Sequence, residues 1–312
     1  MTEAVESFFG WIKERHNIYL SRAAGNPAPW TSDPILQKYK FTNPFRENDR
    51  VTVWMRKNWT NLEDTRPYTE IFFNVCLFRM IGTTDFAEAH GWVRDTPPIG
   101  DWRPQYTKDL IQQRINNKLR TFTGAYIITN QGLKLPKSEV VVDHFLTPLW
   151  RDRQKIMNQM QRFEDRGLKH AHELLGQYKG WGGGGFMAYE VVTDLSYTPV
   201  LSEPYDRRLW ANAGPGAIRG LNRIHDRKLT KGMRQEQANE EMRHLLGFAP
   251  TYLSDSYVPL DDVDMRTIEH SLCEWDKYER VRLGQGEPRS LFRPSEQAVV
   301  GEVNYNERPI YL

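Results

Sequence analysis

The 312 residues predict a mainly α-helical protein, and three features support that fold class. Apolar residues recur at helical spacing, as in the stripe of Ile268, Leu272 and Trp275. Helix-start signals are present, such as the Asn-Pro pair at residues 43–44, where asparagine is a favoured N-cap and proline a favoured first helical residue. The alternation typical of a strand occurs only in short pieces such as residues 124–128.

The helical elements follow in order along the chain. A helix is expected to begin at Asn43, and the apolar run from 68 to 82 predicts a buried helix. The stretch from Gly91 to Pro104 holds three prolines and predicts a loop. Helices are then expected over residues 106–121 and 137–166.

The predicted domain organisation has three parts. Residues 1–40 form an N-terminal helical extension, and residues 41–295 form a helical catalytic domain with two possible lobes divided near residue 180. Residues 296–312 form an extended C-terminal tail, because the sequence there lacks helical periodicity.

Composition excludes several classes of protein. The chain has 42 Lys and Arg residues and 40 Asp and Glu residues, a net charge of +2, which argues against a simple basic nucleic-acid-binding protein. No apolar run approaches about 20 residues, so a membrane span is not expected. The N-terminus carries acids and no basic region, which excludes a secretory signal. Cys76 and Cys273 are too few for a disulfide or metal framework, so a reducing, cytosolic compartment is expected.

Charge is nevertheless concentrated in one segment. Residues 205–234 contain eight basic and two acidic side chains, a net charge of +6. Such a stretch is typical of a surface that binds a polyanion, although a solvated helix face remains the alternative. The basic residues are Arg207, Arg208, Arg219, Arg223, Arg227, Lys228, Lys231 and Arg234.

Two glycine turns precede predicted helices. The first contains Gly180 and Gly182–Gly185, and the second contains Gly214 and Gly216. A glycine turn that opens a helix exposes unpaired N–H groups at the positive end of the helix dipole, which suits a phosphate. A flexible connector between helices is the alternative for the first turn.

The helix after the first turn carries acidic residues. Met187, Val191 and Asp194 share one face, and Glu190 lies one turn from Asp194. Paired acids of this kind suit general acid–base chemistry. A capping role for Asp194, or a salt bridge to an arginine, is the structural alternative.

Two further clusters contain charged residues at helical spacing. Arg46 and Arg50 lie four residues apart with Asp49 between them, and they either bracket a phosphate or are neutralised by that aspartate. In the predicted helix near the C-terminus, the spacing of Glu274 with Lys277, and of Asp276 with an arginine, also fits an exposed helix held by ion pairs.

Four motifs in order resemble one known family over roughly residues 40–295. They are FTNPFRENDRVTVWM, GWGGGGFMAYEVVTDLSYT, AGPGAIRGLNRIHDR and LCEWDKYERVR. Together they resemble the α-glutamyl/putrescinyl thymine pyrophosphorylases, which are bacteriophage amino acid:DNA transferases. The resemblance implies an architecture like that of helix-hairpin-helix DNA glycosylases. It also implies replacement of the phosphate on 5-phosphomethyl-deoxyuridine by an amine, giving hypermodified thymidine that resists host restriction.

The resemblance also implies partners and a location. These are double-stranded phage DNA carrying phosphorylated hydroxymethyluracil, a free amino acid or polyamine, and a separate hydroxymethyluracil DNA kinase that acts earlier. The target base would be flipped out of the duplex. No cofactor or membrane contact is expected, a divalent metal requirement is left open, and the location would be the cytoplasm of the infected host.

Site residues follow from the matched motifs. Asp194 is expected to bind or deprotonate the amine, Glu274 is the alternative base, and Arg46 and Arg50 would hold the departing phosphate. The remaining positions divide into two sets. Substrate binding is expected from Asn43, Asp49, Tyr189, Glu190, Asp276 and Lys277, and DNA binding from Gly182, Gly183, Gly184, Gly214, Gly216, Arg219 and Arg223.

Two other functions remain open from the residues. One is a DNA glycosylase that cuts the N-glycosidic bond of a modified base, for which a single aspartate would serve. The other is a non-catalytic DNA-binding component of a modification complex. Clustered acids beside arginines argue mildly against the second.

Overall fold

A computed structural model describes residues 2–96, 100–162 and 166–293. Within these ranges the protein is mainly helical, which confirms the predicted class, and the only pairing of extended segments is an isolated antiparallel bridge between Tyr39 and Leu291. A π-helical segment spans Val140–Leu146, and short 3-10 helices span Arg46–Asn48 and Leu260–Asp262. The α-helices are α1 (Thr2–Ala23), α2 (Pro34–Lys38), α3 (Arg50–Asn58), α4 (Tyr68–Ile81), α5 (Thr84–His90), α6 (Pro104–Asn116), α7 (Lys137–Glu139), α8 (Thr147–Met160), α9 (Leu168–Gly176), α10 (Phe186–Leu195), α11 (Pro215–Ile224), α12 (Gln235–Leu253) and α13 (Met265–Arg282).

Local sequence signals account for several helix ends. Pro215 is the first residue of α11, directly after Gly214, as the second glycine turn predicts. Gly82 ends α4 in the left-handed conformation, and its N–H donates to the Phe78 carbonyl. Asp264 caps α13 by accepting a hydrogen bond from the N–H of Thr267 at 2.8 Å.

Three element predictions were wrong in detail. The Asn43 side chain donates to the Asn48 carbonyl at 2.8 Å instead of capping a helix, and a 3-10 turn intervenes before α3 begins at Arg50. The helix expected over residues 106–121 is α6, which begins two residues earlier and ends at Asn116. The helix predicted over 137–166 is broken into α7, the π-helical segment and α8, and α8 ends at Met160.

The chain forms two compact units. Unit 1 comprises Met1–Val53 and Arg207–Leu312, and unit 2 comprises Trp54–Asp206. The predicted extension, catalytic domain and division near residue 180 stay predictions. The predicted tail, residues 296–312, lies outside the described residues.

Unit 1 has a core built around α1 and the last three helices. Phe8 of α1 packs edge-on against Trp275 of α13 at a ring separation of 5.8 Å, and Phe9 stacks on Tyr252 of α12 at 5.1 Å. Helices α11 and α13 approach closely because α11 has glycines at the contact. A Cβ on Gly220 would lie 2.7 Å from the Leu272 carbonyl oxygen.

Unit 2 is organised around α4, whose residues from Thr69 to Ile81 are all buried. This helix packs against α8 and α10. Phe73 of α4 meets the rings of Trp102 and Trp150 edge-on, each at 4.8 Å. The burial predicted for the apolar run is therefore confirmed, and the few polar side chains of α4 are buried together with its apolar ones.

Candidate functional site

The glycine-rich turn before α10 adopts conformations that explain its glycines. Gly180, Gly183 and Gly185 have φ values of 94°, 72° and 70°, in the region that side-chain-bearing residues rarely occupy. A Cβ on Gly182 would lie 2.5 Å from the Gly176 carbonyl oxygen. Backbone geometry and close packing therefore require glycine here. The phosphate-binding role of this turn stays a prediction.

Asp194 is fully buried in unit 2 and forms an ion pair with Arg79 of α4. The Arg79 Nη2 donates to Asp194 Oδ1 at 2.8 Å, and its Nε donates to Oδ2. The side chain of Asp194 is 0% exposed and that of Arg79 is 5% exposed. This is the salt bridge that stood as the structural alternative for Asp194. Arg79 was not among the predicted site residues. It is the only cation in the apolar run of α4, and that feature was the signal that could have identified it.

Two other predicted substrate-binding residues lie on the same helix and are also buried. Tyr189 is 2% exposed and Glu190 is 4% exposed. The His172 Nε2 lies 3.1 Å from the Gly185 carbonyl oxygen at the start of α10, and burial lowers the pKa of this histidine. Helix α10 therefore presents its predicted site residues to the interior of unit 2.

The predicted arginine pair of unit 1 does not share one helix. Arg46 lies in the 3-10 turn, where its Nε donates to Thr52 Oγ1 at 3.1 Å, whereas Arg50 is exposed and begins α3. Asn43 and Asp49 are both half-buried in the same segment. The one-turn spacing inferred from the sequence is wrong, because the backbone changes conformation between the two arginines.

Asp276 of α13 neutralises two of the predicted DNA-binding arginines. Arg219 Nε donates to its Oδ2 at 2.7 Å, and Arg223 Nε donates to its Oδ1 at 2.8 Å. The side chains of Asp276 and Arg223 are 1% and 8% exposed, so their pair is shielded from solvent, whereas that of Arg219 is 40% exposed. The N–H of Gly214, at the start of α11, donates to Glu269 at 3.2 Å. The N–H of Gly214 thus has a partner within unit 1, and the DNA-binding role of this turn stays a prediction.

Glu274 and Lys277 form a second network on α13. Lys277 Nζ lies 2.7 Å from Glu274 Oε2, and this oxygen also accepts the N–H of Thr42 at 2.8 Å. Burial raises the pKa of Glu274, but the Lys277 and His270 charges and these hydrogen bonds lower it overall. The network ties residues 40–42 to α13. The spacing of Glu274 and Lys277 therefore serves to hold the structure together.

Half of the cations in the basic stretch of residues 205–234 are paired with acids from other parts of unit 1. Arg227 binds Glu241 at 2.5 and 2.8 Å, and Arg207 binds Asp264 at 2.8 Å. With Arg219 and Arg223 on the aspartate of α13, four of the eight cations have acidic partners. The other four are exposed, namely Arg208, Lys228, Lys231 and Arg234.

A second basic surface was missed. Residues 103–137 contain seven basic and one acidic side chain, a net charge of +6, so the same summation would have found it. In the loop of residues 117–136 between α6 and α7, Lys118, Arg120 and Lys134 are exposed and form no ion pair with a described residue. Leu119 and Ile127 are also exposed, at 51% and 82%. This α6–α7 loop combines free cations with apolar tips.

The described residues show no metal centre and no candidate for a membrane span. No group of three or more His, Cys, Asp or Glu side chains among them is placed to hold a metal ion. None of the described helices has both the length and the apolar character needed to cross a bilayer. Both cysteines are free thiols.

The described residues thus form a mainly helical protein with a buried polar framework and an exposed basic loop. Comparison with known families identifies the family. The family described as 5-hmdU DNA kinase, helical domain, matches residues 2–287, and the chain belongs to this family. A 5-hmdU DNA kinase of Bacillus phage SP10 is 24% identical over 305 residues, covering 88% of this chain and 44% of the relative. The chain thus spans less than half the length of that relative, and no solved structure matches it.

The family match corrects the predicted activity. The chain belongs to the kinase family and not to the amine-transferring pyrophosphorylase family, so the amino acid or polyamine partner lacks support. The glycosylase and non-catalytic alternatives fit no better, and the helix-hairpin-helix arrangement is not confirmed. The resemblance rested largely on glycines and charged residues that packing and pairing explain, and such residues do not define a reaction. The roles of Asp194 and Glu274 as bases toward an amine, and of Arg46 and Arg50 toward a departing phosphate, are withdrawn with that activity.

Proposed function

We propose that this chain acts in the phosphorylation of 5-hydroxymethyl-deoxyuridine in phage DNA, as the helical part of a 5-hmdU DNA kinase. The observation that carries the proposal is the family match across residues 2–287. In such a reaction the hydroxymethyl oxygen attacks the γ-phosphorus of a nucleoside triphosphate. A phosphate ester forms, the nucleoside diphosphate leaves, and the hydroxyl proton passes to a base.

The α6–α7 loop is the surface that we assign to the DNA. Its exposed Lys118, Arg120 and Lys134 suit contact with the phosphates of the DNA backbone. A lysine or arginine that has no acidic partner in the protein can neutralise a phosphate, and the counterions held by the DNA are then released. Leu119 and Ile127 project apolar groups at the same loop. Apolar side chains that enter a base step help to unstack it, which a kinase acting on a base substituent requires.

The activity is tested by nucleoside mass spectrometry. The chain is incubated with Mg-ATP and duplex DNA that carries 5-hydroxymethyl-deoxyuridine, and the DNA is digested to nucleosides. We expect a deoxyuridine that bears a phosphomonoester on its 5-methylene group, and no product from a matched thymidine duplex. An amine adduct or abasic sites would contradict the proposal, as would the absence of both phosphate transfer and binding to the modified duplex.

The DNA-binding surface is tested by salt dependence. The triple variant Lys118→Ala/Arg120→Ala/Lys134→Ala should bind duplex DNA more weakly. The slope of log K against log salt should fall in magnitude by about 2 to 3, because each phosphate contact contributes about 0.9. Fluorescence anisotropy with labelled duplex between low and moderate salt measures both quantities.

A matched control removes three exposed cations elsewhere. The variant Lys228→Ala/Lys231→Ala/Arg234→Ala changes the net charge by the same amount in unit 1. If both triple variants lower the slope equally, net charge and not the α6–α7 loop determines the affinity, and the assignment of this surface fails.

A further inference from the structure

Unit 1 contains a pocket beside α1, and none of the predicted site residues lines it. Its volume is about 200 Å³. Tyr39 and Phe41 are buried at its inner side, whereas Ala28 and Gln37 are exposed at its mouth. The lining combines aromatic rings with cations. The residues that matter are Arg15, Arg22, Trp30, Tyr39, Phe41 and Phe292.

Helix periodicity and a short strand pairing build the pocket. Arg15, Ile18 and Arg22 lie on one face of α1, at i, i+3 and i+7. The opposite wall is held by the bridge next to Tyr39, where the N–H of Phe292 donates to the Lys38 carbonyl at 2.9 Å. Residues more than 250 positions apart in the chain therefore meet at this pocket.

Arg22 lies over two of the aromatic rings. Its guanidinium carbon is 5.1 Å from the Trp30 ring centroid and 5.4 Å from that of Phe292. The two rings are 6.1 Å apart and inclined at 75°. The Trp30 Nε1 donates to the Asn26 carbonyl at 2.6 Å, which orients the indole. A flat ring and a positive charge are thus presented side by side.

Arg15 adds a second, more deeply buried charge. The residue is 8% exposed, and its Nε and Nη2 donate to the Phe41 carbonyl at 3.3 and 3.2 Å. Its Nη1 has no hydrogen-bond partner among the described residues. Burial and the charge of Arg22 lower the pKa of Arg15 to about 10, while Glu274 and Asp49 act in the opposite direction. Two guanidinium groups therefore stand in one pocket wall, and the Arg15 Nη1 is a buried donor that suits a bound anion.

From this lining we infer that the pocket binds a single nucleotide, with its base against the aromatic wall and its phosphate near the two arginines. Aromatic side chains stack any base, and guanidinium groups are favoured partners of phosphate. The inference deepens the proposed function and rests on it for the identity of the nucleotide. Neither the family match nor the predicted site assigns this pocket.

The volume decides which nucleotide source fits better. Pockets for drug-sized ligands measure roughly 300–1,000 Å³, so about 200 Å³ holds one ring and not a whole nucleoside triphosphate. A base extruded from DNA therefore fits better than free ATP, although both share the same chemistry of a ring with phosphate. Competition between a free monophosphate and ATP separates the two sources.

Binding is measured without Mg²⁺ or ATP, so that the result does not depend on phosphate transfer. A labelled oligonucleotide carrying 5-hydroxymethyl-deoxyuridine is titrated with the full chain, and free 5-hydroxymethyl-dUMP, thymidine and ATP are used as competitors. We expect the free monophosphate to compete, and thymidine, which lacks the phosphate, to compete at least tenfold less well. Equal competition by thymidine would overturn the role of the arginines. Effective competition by ATP would identify a free nucleotide as the source.

Variants of the pocket provide the second arm. Trp30→Ala should weaken binding of the oligonucleotide about 5- to 150-fold, the range expected for loss of one base–aromatic stack. Trp30→Phe keeps a flat ring and should retain most of the affinity. Gln37→Trp places a large side chain at the exposed mouth and should block binding, with the loss of only the exposed hydrogen bond from Gln37 Nε2 to the Thr31 carbonyl. Phe248→Ala removes an exposed ring of unit 1 outside the pocket and should have no effect.

The two proposals fail separately. If Trp30→Ala and Gln37→Trp bind the oligonucleotide and the free monophosphate as tightly as the unmodified chain does, the pocket is not a nucleotide site. That result stands whether or not the chain supports phosphorylation. If the variants lose binding but no phosphate is ever transferred, the pocket assignment holds and the proposed function fails.

Discussion

Replacing Asp194 by asparagine tests whether this residue serves the fold or the reaction. The substitution keeps the side-chain shape and removes the charge, so it opens no cavity. In the native protein, Asp194 accepts hydrogen bonds from both Nε and Nη2 of Arg79. An asparagine offers one oxygen and one NH₂ group, so its NH₂ would face one of the two N–H donors of Arg79 and that hydrogen bond would be lost.

The magnitude follows from burial. Because the two side chains are 0% and 5% exposed, water does not screen Arg79 after its partner is neutralised. Breaking a buried ion pair by removing one partner costs about 3–5 kcal/mol, a large part of the roughly 5–15 kcal/mol that stabilises a typical domain. With an m-value near about 2 kcal/mol/M, the urea midpoint of the Asp194→Asn protein should fall by roughly 1.5–2.5 M.

Urea unfolding followed by circular dichroism measures this shift, with two comparisons. Arg151→Ala breaks an exposed ion pair with Asp152 and should leave the midpoint nearly unchanged. The double variant Arg79→Met/Asp194→Leu removes both charges and should recover most of the lost stability. A single variant as stable as the native protein but unable to support phosphorylation would refute the structural role and return Asp194 to the reaction.

Three further predictions concern α11 to α13. Gly220→Ala should lose about 1–3 kcal/mol of unfolding free energy, because its Cβ would lie 2.7 Å from the Leu272 carbonyl oxygen. Gly247→Ala, whose Cβ would meet nothing within 4 Å, should lose none, and urea unfolding of both variants measures the difference. Burial and nearby carboxylates raise the pKa of Cys273 to about 12, so at pH 8 it should react with a thiol reagent far more slowly in the folded than in the unfolded protein, and rapid native labelling would contradict this. Glu274 has a lowered pKa in the folded protein, so the stability it contributes is complete above its unfolded pKa of about 4.3 and is lost as the pH falls through its lower folded pKa. Glu274→Gln should therefore reduce the fall of the unfolding free energy at acid pH, and an unchanged fall would count against this prediction.

Adding up charges along a sequence segment does not by itself predict how much charge that segment presents at the protein surface. Residues 205–234 and 103–137 have the same net charge of +6. In the first stretch, acids distant in sequence neutralise four of the six arginines and Arg208, Lys228, Lys231 and Arg234 stay exposed, whereas in the α6–α7 loop none of the three exposed cations has an acidic partner among the described residues. Net charge is a property of composition, but the field at a surface depends on which acids fold against it.

The family prediction failed for a related reason. Its motifs were real features of the chain, yet the structure explains many of their residues by packing and pairing. Gly216 lies against Cys273, Asp276 holds two arginines, and Gly180 lies against the Phe145 ring. Residues of this kind preserve a helical framework, and a framework alone does not specify a reaction.

The sequence by itself determined the mainly helical class, the burial of α4, and the starts of α10 and α11, because these depend on apolar spacing and on turn residues a few positions apart. It did not determine the partner of Asp194, which lies 115 residues away, or that of Arg219, which lies 57 residues away. The pocket beside α1 likewise needs Phe292 next to Trp30. Only the tertiary structure decided these contacts, because local propensity does not encode which distant side chains meet once the helices pack.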